Sequence, residues 1–319
     1  MNKFIPIIKI RTKSGMAWIK RLLQKPEVAA CIQLMRLDKP IGTLLVIWPM
    51  LWALWLAGSG TPPLSTVFVF LLGALLMRSA GCVINDYADR NIDGHVARTM
   101  HRPLATGEIS TRFALILFGV LVALAFLLVL TTNTMTVITA IGALVLASAY
   151  PFMKRYTHLP QIVLGAAFAW AIPMAFTAVT ETLPKPMWTL YIGALIWTVA
   201  YDTFYAMVDR EDDERIGVKS TAILFAENDR IITGCLQICS LLVLFTVGRS
   251  FQLHWPFYIS LAAAAGLFGY QQWLIKEREP AQCFQAFMNN NWVGMVIFIG
   301  IVISYLVAPA VVPDVAITP

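Results

Sequence analysis

The sequence predicts an all-α polytopic membrane protein: a bundle of nine transmembrane helices with two Asp-rich motifs on its cytoplasmic side. Three observations carry this. Of 319 residues, 58% are hydrophobic and only 13% are charged, with a mean hydropathy of +0.70, whereas soluble domains carry about 25% charged residues. Apolar stretches close to the ~20 residues needed to cross a bilayer recur along the chain. The basic residues also alternate: with the N-terminus inside, 21 of the 24 Lys and Arg fall in inside segments, the bias expected of cytoplasmic loops. A missed or extra span would scramble that alternation. The same distribution explains the net charge of +6 as a topology signal and excludes a nucleic-acid-binding surface.

Residues 1–40 form a basic leader (Lys3, Lys9, Arg11, Lys13, Lys20, Arg21, Lys25) with no acid before Glu27. Interspersed apolar residues suit a segment lying in the cytoplasmic interface. It lacks the apolar core and small-residue cleavage site of a secretory signal. Lys outnumbers Arg and Ser14 is its only serine, which favours a bacterial inner membrane over a mitochondrial one. The membrane domain covers 41–312, with spans at about 41–58, 65–84, 113–131, 134–152, 160–180, 188–208, 231–250, 254–275 and 291–312. A short external tail, 313–319, follows. Helices are required because only helices or closed barrels satisfy the backbone in lipid, and no alternating strand pattern occurs. Trp48, Trp52, Trp55, Trp188, Trp255 and Trp292 are assigned to an aromatic belt at span ends. Cys235 and Cys239 stand at i, i+4 with no further ligand to make a metal set, so a buried apolar role is expected.

Two loops depart from this pattern. The first follows the second span: Asn85, Asp86, Asp89 and Asp93, with Arg90, Arg98 and Arg102 among or after them. If the helix continues through it, the four oxygen-bearing side chains fall within a sector about 100° wide. The second follows the sixth span and carries Asp209, Glu211, Asp212, Asp213 and Glu214, with Asp202 earlier in the apolar run and Lys219 after. On one continuous helix Asp202, Asp209 and Asp213 share a narrow face. Four spans separate the loops, so both emerge on the cytoplasmic side, as a weak internal duplication would place them. Glu211, Asp212 and Glu214 read equally as a solvated surface. Asp202 does not, because a carboxylate within a span is costly and marks function.

Oxygen-rich faces beside basic residues suit Mg²⁺, which is commonly held by one or two carboxylates plus substrate phosphates. The expected chemistry is metal-assisted reaction of an amphiphilic diphosphate, its tail among apolar helices and its phosphates at the cytoplasmic rim.

Asn85-Asp86-x-x-Asp89-x-x-x-Asp93 resembles the first signature of the intramembrane aromatic prenyltransferases typified by 4-hydroxybenzoate polyprenyltransferase, and Asp209-x-x-x-Asp213, preceded by Asp202, is similar to the second. The likeness extends to Arg36–Gly42, Tyr150–Gln161, Tyr201–Asp213 and Phe287–Gly294. It implies a nine-helix bundle and Mg²⁺-dependent transfer of a polyprenyl group from polyprenyl diphosphate to 4-hydroxybenzoate in ubiquinone biosynthesis. By this resemblance and the chemistry above, Asn85, Asp89, Asp209 and Asp213 are metal ligands, with Asp86 and Asp93 in support and Asp202 orienting the site or reaching metal through water. Arg36, Arg102 and Lys219, together with Arg98, would contact diphosphate. Arg155 would bind the benzoate carboxylate, although Lys154 and Arg155 read equally as positive-inside markers. The rings of Tyr201, Phe204 or Tyr205 would face an allylic cation.

Other readings are weaker. Asp93-Gly94-His95-Val96-Ala97-Arg98 begins like a CDP-alcohol phosphotransferase signature, but Thr111 and Leu115 stand where its later aspartates belong. An ion-coupled transporter would place its acids at midplane between broken helices, and here they cluster at one mouth. A relative using another aromatic acceptor is the remaining alternative.

Overall fold

A computed structural model describes residues 26–91, 93–95 and 98–307. Most of the leader, Ile92, Val96, Ala97 and the end of the last predicted span with the tail lie outside the described residues. Those described are all-helical, without strands, and six helices are long and apolar enough to cross a membrane. The chain runs α1 (Pro26–Leu34), α2 (Ile41–Ala57), α3 (Leu64–Asp89), α4 (Thr111–Val129), α5 (Thr134–Tyr156), α6 (Pro160–Ala169), α7 (Ala171–Thr180), α8 (Lys185–Val208), α9 (Arg210–Ile216), α10 (Thr221–Phe225), α11 (Asp229–Ser250), α12 (Trp255–Leu274) and α13 (Pro280–Val307).

Helix boundaries follow local chemistry. Ser110 accepts from the Phe113 N–H and Asn133 from the Thr136 N–H, capping α4 and α5. The fifth predicted span is two helices. The Trp170 N–H turns to the Ala167 carbonyl, and Pro173 has no N–H for the Ala169 carbonyl. The last helix starts well before the predicted 291. Pro280 opens it, and Gln282 and Cys283 donate to the Glu279 carbonyl. Its apolar stretch is shorter than the helix because the first turns are polar.

Two apolar cores form. The larger joins α2, α7, α8, α11, α12 and α13, and the smaller joins α1, α3 and α4 through Leu34, Val83, Ala114 and Leu121. The consecutive helices α4 and α5 hardly touch, because α4 packs on α3 and α5 on α6.

Three consecutive asparagines on α13 fasten the larger core. Asn289 accepts from Gln271 on α12 (2.9 Å), Asn290 from Trp197 on α8 (2.8 Å) and Asn291 from Trp48 on α2 (2.9 Å). Successive helix positions point about 100° apart, so one triplet reaches three neighbours. Gly294, one turn on, lets Trp48 lie against the α13 backbone while Trp52 donates to the Gly294 carbonyl at 3.0 Å. This corrects the belt assignment for Trp48, Trp52 and Trp55. Trp52 is buried and stacked on Trp197, and Trp55 packs edge-on against Phe298. Trp188 and Trp255 do stand exposed near helix starts, whereas Trp292 is exposed within α13. Cys235 and Cys239 are exposed on the outer surface of α11, not buried.

Candidate functional site

Between the two cores lies one large cavity of about 1040 Å³. Its mouth carries both acidic motifs, and its depth is apolar. It follows α3 from Asp89 back to Phe70, about 28 Å along the helix axis, close to the ~30 Å of a bilayer's hydrocarbon core. Phe126 and Val129 on α4 and Ile141 and Leu144 on α5 line it where those helices stand apart.

The first motif is not one helix face. The helix α3 ends at Asp89, and Asp93 returns on a short 3₁₀ turn. Asp86 and Asp89 are buried within α3, one turn apart. Asp86 is bound by two guanidinium groups, Arg36 (3.0 Å to both oxygens) and Arg102 (2.9 Å), and Arg102 also bridges to Asp93 at 2.9 Å. Asp89 accepts from Asn85 at 3.3 Å and from the ammonium of Lys154 through Oδ2, while its Oδ1 is buried without a partner.

The second motif also breaks. Asp209 is the joint between α8 and α9, its backbone at φ −94°, ψ 1°, so Asp202, Asp209 and Asp213 do not share one helix face. The Asp213 N–H donates to the Asp209 carbonyl (2.9 Å), which ties the two acids together. Burial, reinforced by the Asp209 carboxylate, pushes the Asp213 carboxyl up to about 7 against the pull of Lys154 and Arg98.

The two motifs meet. Arg98, from the loop after the first motif, forms a bidentate pair with Asp209 at 2.8 and 2.6 Å and lies over the Tyr205 ring. Asn85, Asp86, Asp89, Asp93, Asp202, Asp209 and Asp213 all border the same cavity, as do Arg36, Arg98, Arg102 and Lys219. Among the described residues the Lys219 ammonium bonds only a main-chain carbonyl, that of Tyr156 (3.3 Å), so it is available to an anion.

Arg155 is different. It is exposed, donates to the Ala88 carbonyl (2.6 Å) and does not border the cavity. Adjacent helix residues point about 100° apart, and it is Lys154 that faces inward. Phe204 is likewise buried away from the cavity, which Tyr201 and Tyr205 border.

Sequence reasoning missed Arg78, which lies inside the second predicted span. Its guanidinium borders the cavity, lies over Phe168 and donates to the Cys82 sulfur, and its Nε is buried without a partner. Among the described residues no carboxylate is ion-paired to it, although Asp202 is near. The rule that an intramembrane charge marks function, applied to Asp202, would have found it.

Hard oxygen donors and the orphaned Asp89 Oδ1 fit a divalent cation. Among the described residues no three acidic side chains stand close enough to enclose one unaided. That suits an ion whose shell is completed by substrate phosphates.

Comparison with known proteins agrees with this architecture. Residues 46–306 match the UbiA prenyltransferase family. Proteins named 4-hydroxybenzoate octaprenyltransferase from Saccharophagus degradans and Klebsiella pneumoniae are 58% and 59% identical. Each alignment covers 89% of this chain, and 95% and 99% of the relatives respectively. A similar protein of that name from Sodalis glossinidius is 61% identical over 87% of this chain and 96% of its own. Among solved structures, a UbiA homolog from Aeropyrum pernix superimposes with a TM-score of 0.72 at 22% identity, covering 81% of this chain and 97% of that one. A UbiA homolog from Archaeoglobus fulgidus bound to GPP and Mg²⁺ gives 0.65 at 18% identity, covering 86% and 99%. Those two share the fold. With a family match across most of its length, this multi-pass membrane protein belongs to the UbiA prenyltransferase family.

Proposed function

We propose that the chain transfers a polyprenyl group from polyprenyl diphosphate to 4-hydroxybenzoate, at the ring carbon ortho to the hydroxyl and meta to the carboxylate, releasing diphosphate in ubiquinone biosynthesis. One observation carries the reading: a single cavity, about as long as a bilayer core is thick, joins a mouth of paired carboxylates and guanidinium groups to an apolar depth. The names of the relatives point to an octaprenyl donor.

Asn85, Asp89, Asp93, Asp209 and Asp213 would hold Mg²⁺ brought with the diphosphate. Bound there, Mg²⁺ would neutralise charge growing on the departing diphosphate. Asp86 holds Arg36 and Arg102 where phosphate oxygens would lie, and Lys219 adds a third cation. Arg98 and Lys154, now on Asp209 and Asp89, exchange those carboxylates for phosphate when substrate enters. The apolar walls exclude water from the allylic cation, and the faces of Tyr201 and Tyr205 stabilise it. Arg78, deeper than the acidic rim and without an ion-paired carboxylate among the described residues, takes the benzoate carboxylate. Asp202, beside it, orients the acceptor ring. The electron-rich ring carbon then attacks the allylic cation, and the proton on that carbon passes to the released diphosphate, restoring the aromatic ring.

The reading also implies a topology. Nine spans, with the N-terminus cytoplasmic in a bacterial inner membrane, are what the hydropathy and the charge alternation of the sequence support. Detergent-purified protein given labelled 4-hydroxybenzoate, a set of prenyl diphosphates and Mg²⁺ should yield prenylated product. EDTA should abolish it and Mg²⁺ restore it. Turnover without divalent metal, or no turnover with any prenyl donor, would sink the proposal.

A further inference from the structure

Beyond the cavity, the most concentrated buried charge is at Asp229, the first residue of α11. Its carboxylate is fully buried. It accepts from the Arg210 guanidinium, from Arg278 Nε at 3.0 and 3.1 Å and Nη2 at 3.0 Å, and from the Arg230 N–H at 2.6 Å. Arg278 also donates to the Glu227 carbonyl at 2.6 Å. It does so from a left-handed backbone (φ +58°) that is unfavourable for a residue with a Cβ. One carboxylate therefore ties together three chain segments: the α8–α9 joint, the turn before α11 and the turn before α13.

The partner that matters is Arg210, because it directly follows Asp209. At the joint the two side chains diverge. Asp209 turns to the cavity, where Arg98 holds it, and Arg210 turns away to Asp229. The joint is gripped from both sides, and through the Asp213 N–H it also sets where α9 presents Asp213. The two grips differ in kind. Arg98 borders the cavity, where an arriving diphosphate would compete for it, whereas Asp229 does not border it and is out of a diphosphate's reach there.

We infer that Asp229, acting through Arg210, is a positioning residue that fixes the second acidic motif for metal binding. It touches neither substrate nor metal. The inference rests on the proposed two-motif Mg²⁺ site, and the test separates the two.

The readout is binding of Mn²⁺, a paramagnetic substitute for Mg²⁺, to detergent-purified full-length protein with inorganic diphosphate, followed by the loss of the free-ion spin-resonance signal. Asp229→Asn should weaken Mn²⁺ binding about 10- to 100-fold, the range seen when groups orienting metal ligands are removed. It should leave the KM for 4-hydroxybenzoate unchanged. Arg210→Gln should do the same, and the double variant should be no worse than either single one. Arg278→Gln loosens the same knot without touching the joint, so it should lower thermal stability and leave Mn²⁺ affinity unchanged. If Asp229→Asn does not fold, Arg210→Gln alone decides. Wild-type affinity in Arg210→Gln, or an equal loss in Arg278→Gln, would overturn the inference by reducing the knot to a fold-stabilising cluster. Absence of Mn²⁺ binding in the wild type would overturn the metal site itself.

Discussion

Two residues show how sharply position sets role. Asp86 and Asp89 are one helical turn apart and both buried, yet Asp86 is occupied by Arg36 and Arg102 while Asp89 keeps one oxygen without a partner. Asp89→Ala and Asp213→Ala should each abolish prenyl transfer, measured as product from membranes, with the protein still inserted at normal level. Near-normal turnover in either would break the two-motif site. At the other substrate, a Cβ on Gly42 would meet the Arg78 guanidinium, the mobile end of a long side chain and not a rigid wall. Gly42→Ala should therefore leave the fold intact and raise the KM for 4-hydroxybenzoate several-fold, with little change for the prenyl donor. Arg155→Ala should change neither, because Arg155 lies outside the cavity.

Among elements, α13 acts as the strap of the larger core. Lipid provides no hydrophobic drive between helices, so packing and interhelical hydrogen bonds must hold them. The Asn289–Asn291 triplet does so on three sides. Asn290→Leu would strand the buried Trp197 N–H and should cost about 1–3 kcal/mol, read as a lower unfolding temperature in detergent. Trp197 packs edge-on against Tyr201, so activity should fall with stability. The opposite construction appears at α4 and α5. They leave a gap between them, and their cavity-lining residues, such as Phe126 and Ile141, are partly exposed. An element that packed well there would close the space a prenyl chain needs.

Across the whole molecule, the charge alternation and the acidic mouth must agree on one side of the membrane. Alkaline phosphatase, active only outside the cytoplasm, should be active when fused to the C-terminus and inactive in the loop between Asp213 and Thr221. The reverse pattern would invert the bundle and separate the mouth from cytoplasmic substrates.

Much of this was legible in the chain alone. Hydropathy located the helical segments, because burying backbone in lipid leaves helix as the economical solution. The spacing of Asn85, Asp89 and Asp93, with the second cluster at Asp209, singled out residues that border one cavity, because clustered carboxylates beside an apolar span have few other uses. What the sequence did not reveal depends on direction. Straight extrapolation of α3 and α8 put each motif on one helix face, but both helices end at their motif and turn. Lys154 and Arg155 are indistinguishable as letters, and only the rotation of α5 decides which faces the cavity. Trp52 looked like a belt residue until α13 covered it. Arg78 stayed hidden because only the packing of the surrounding helices sets it at the cavity wall, with no ion-paired carboxylate among the described residues. The sequence by itself determined the solvent of each segment and the kind of chemistry. Only the tertiary structure decided which charges meet, since that depends on helix rotation and on where each helix stops.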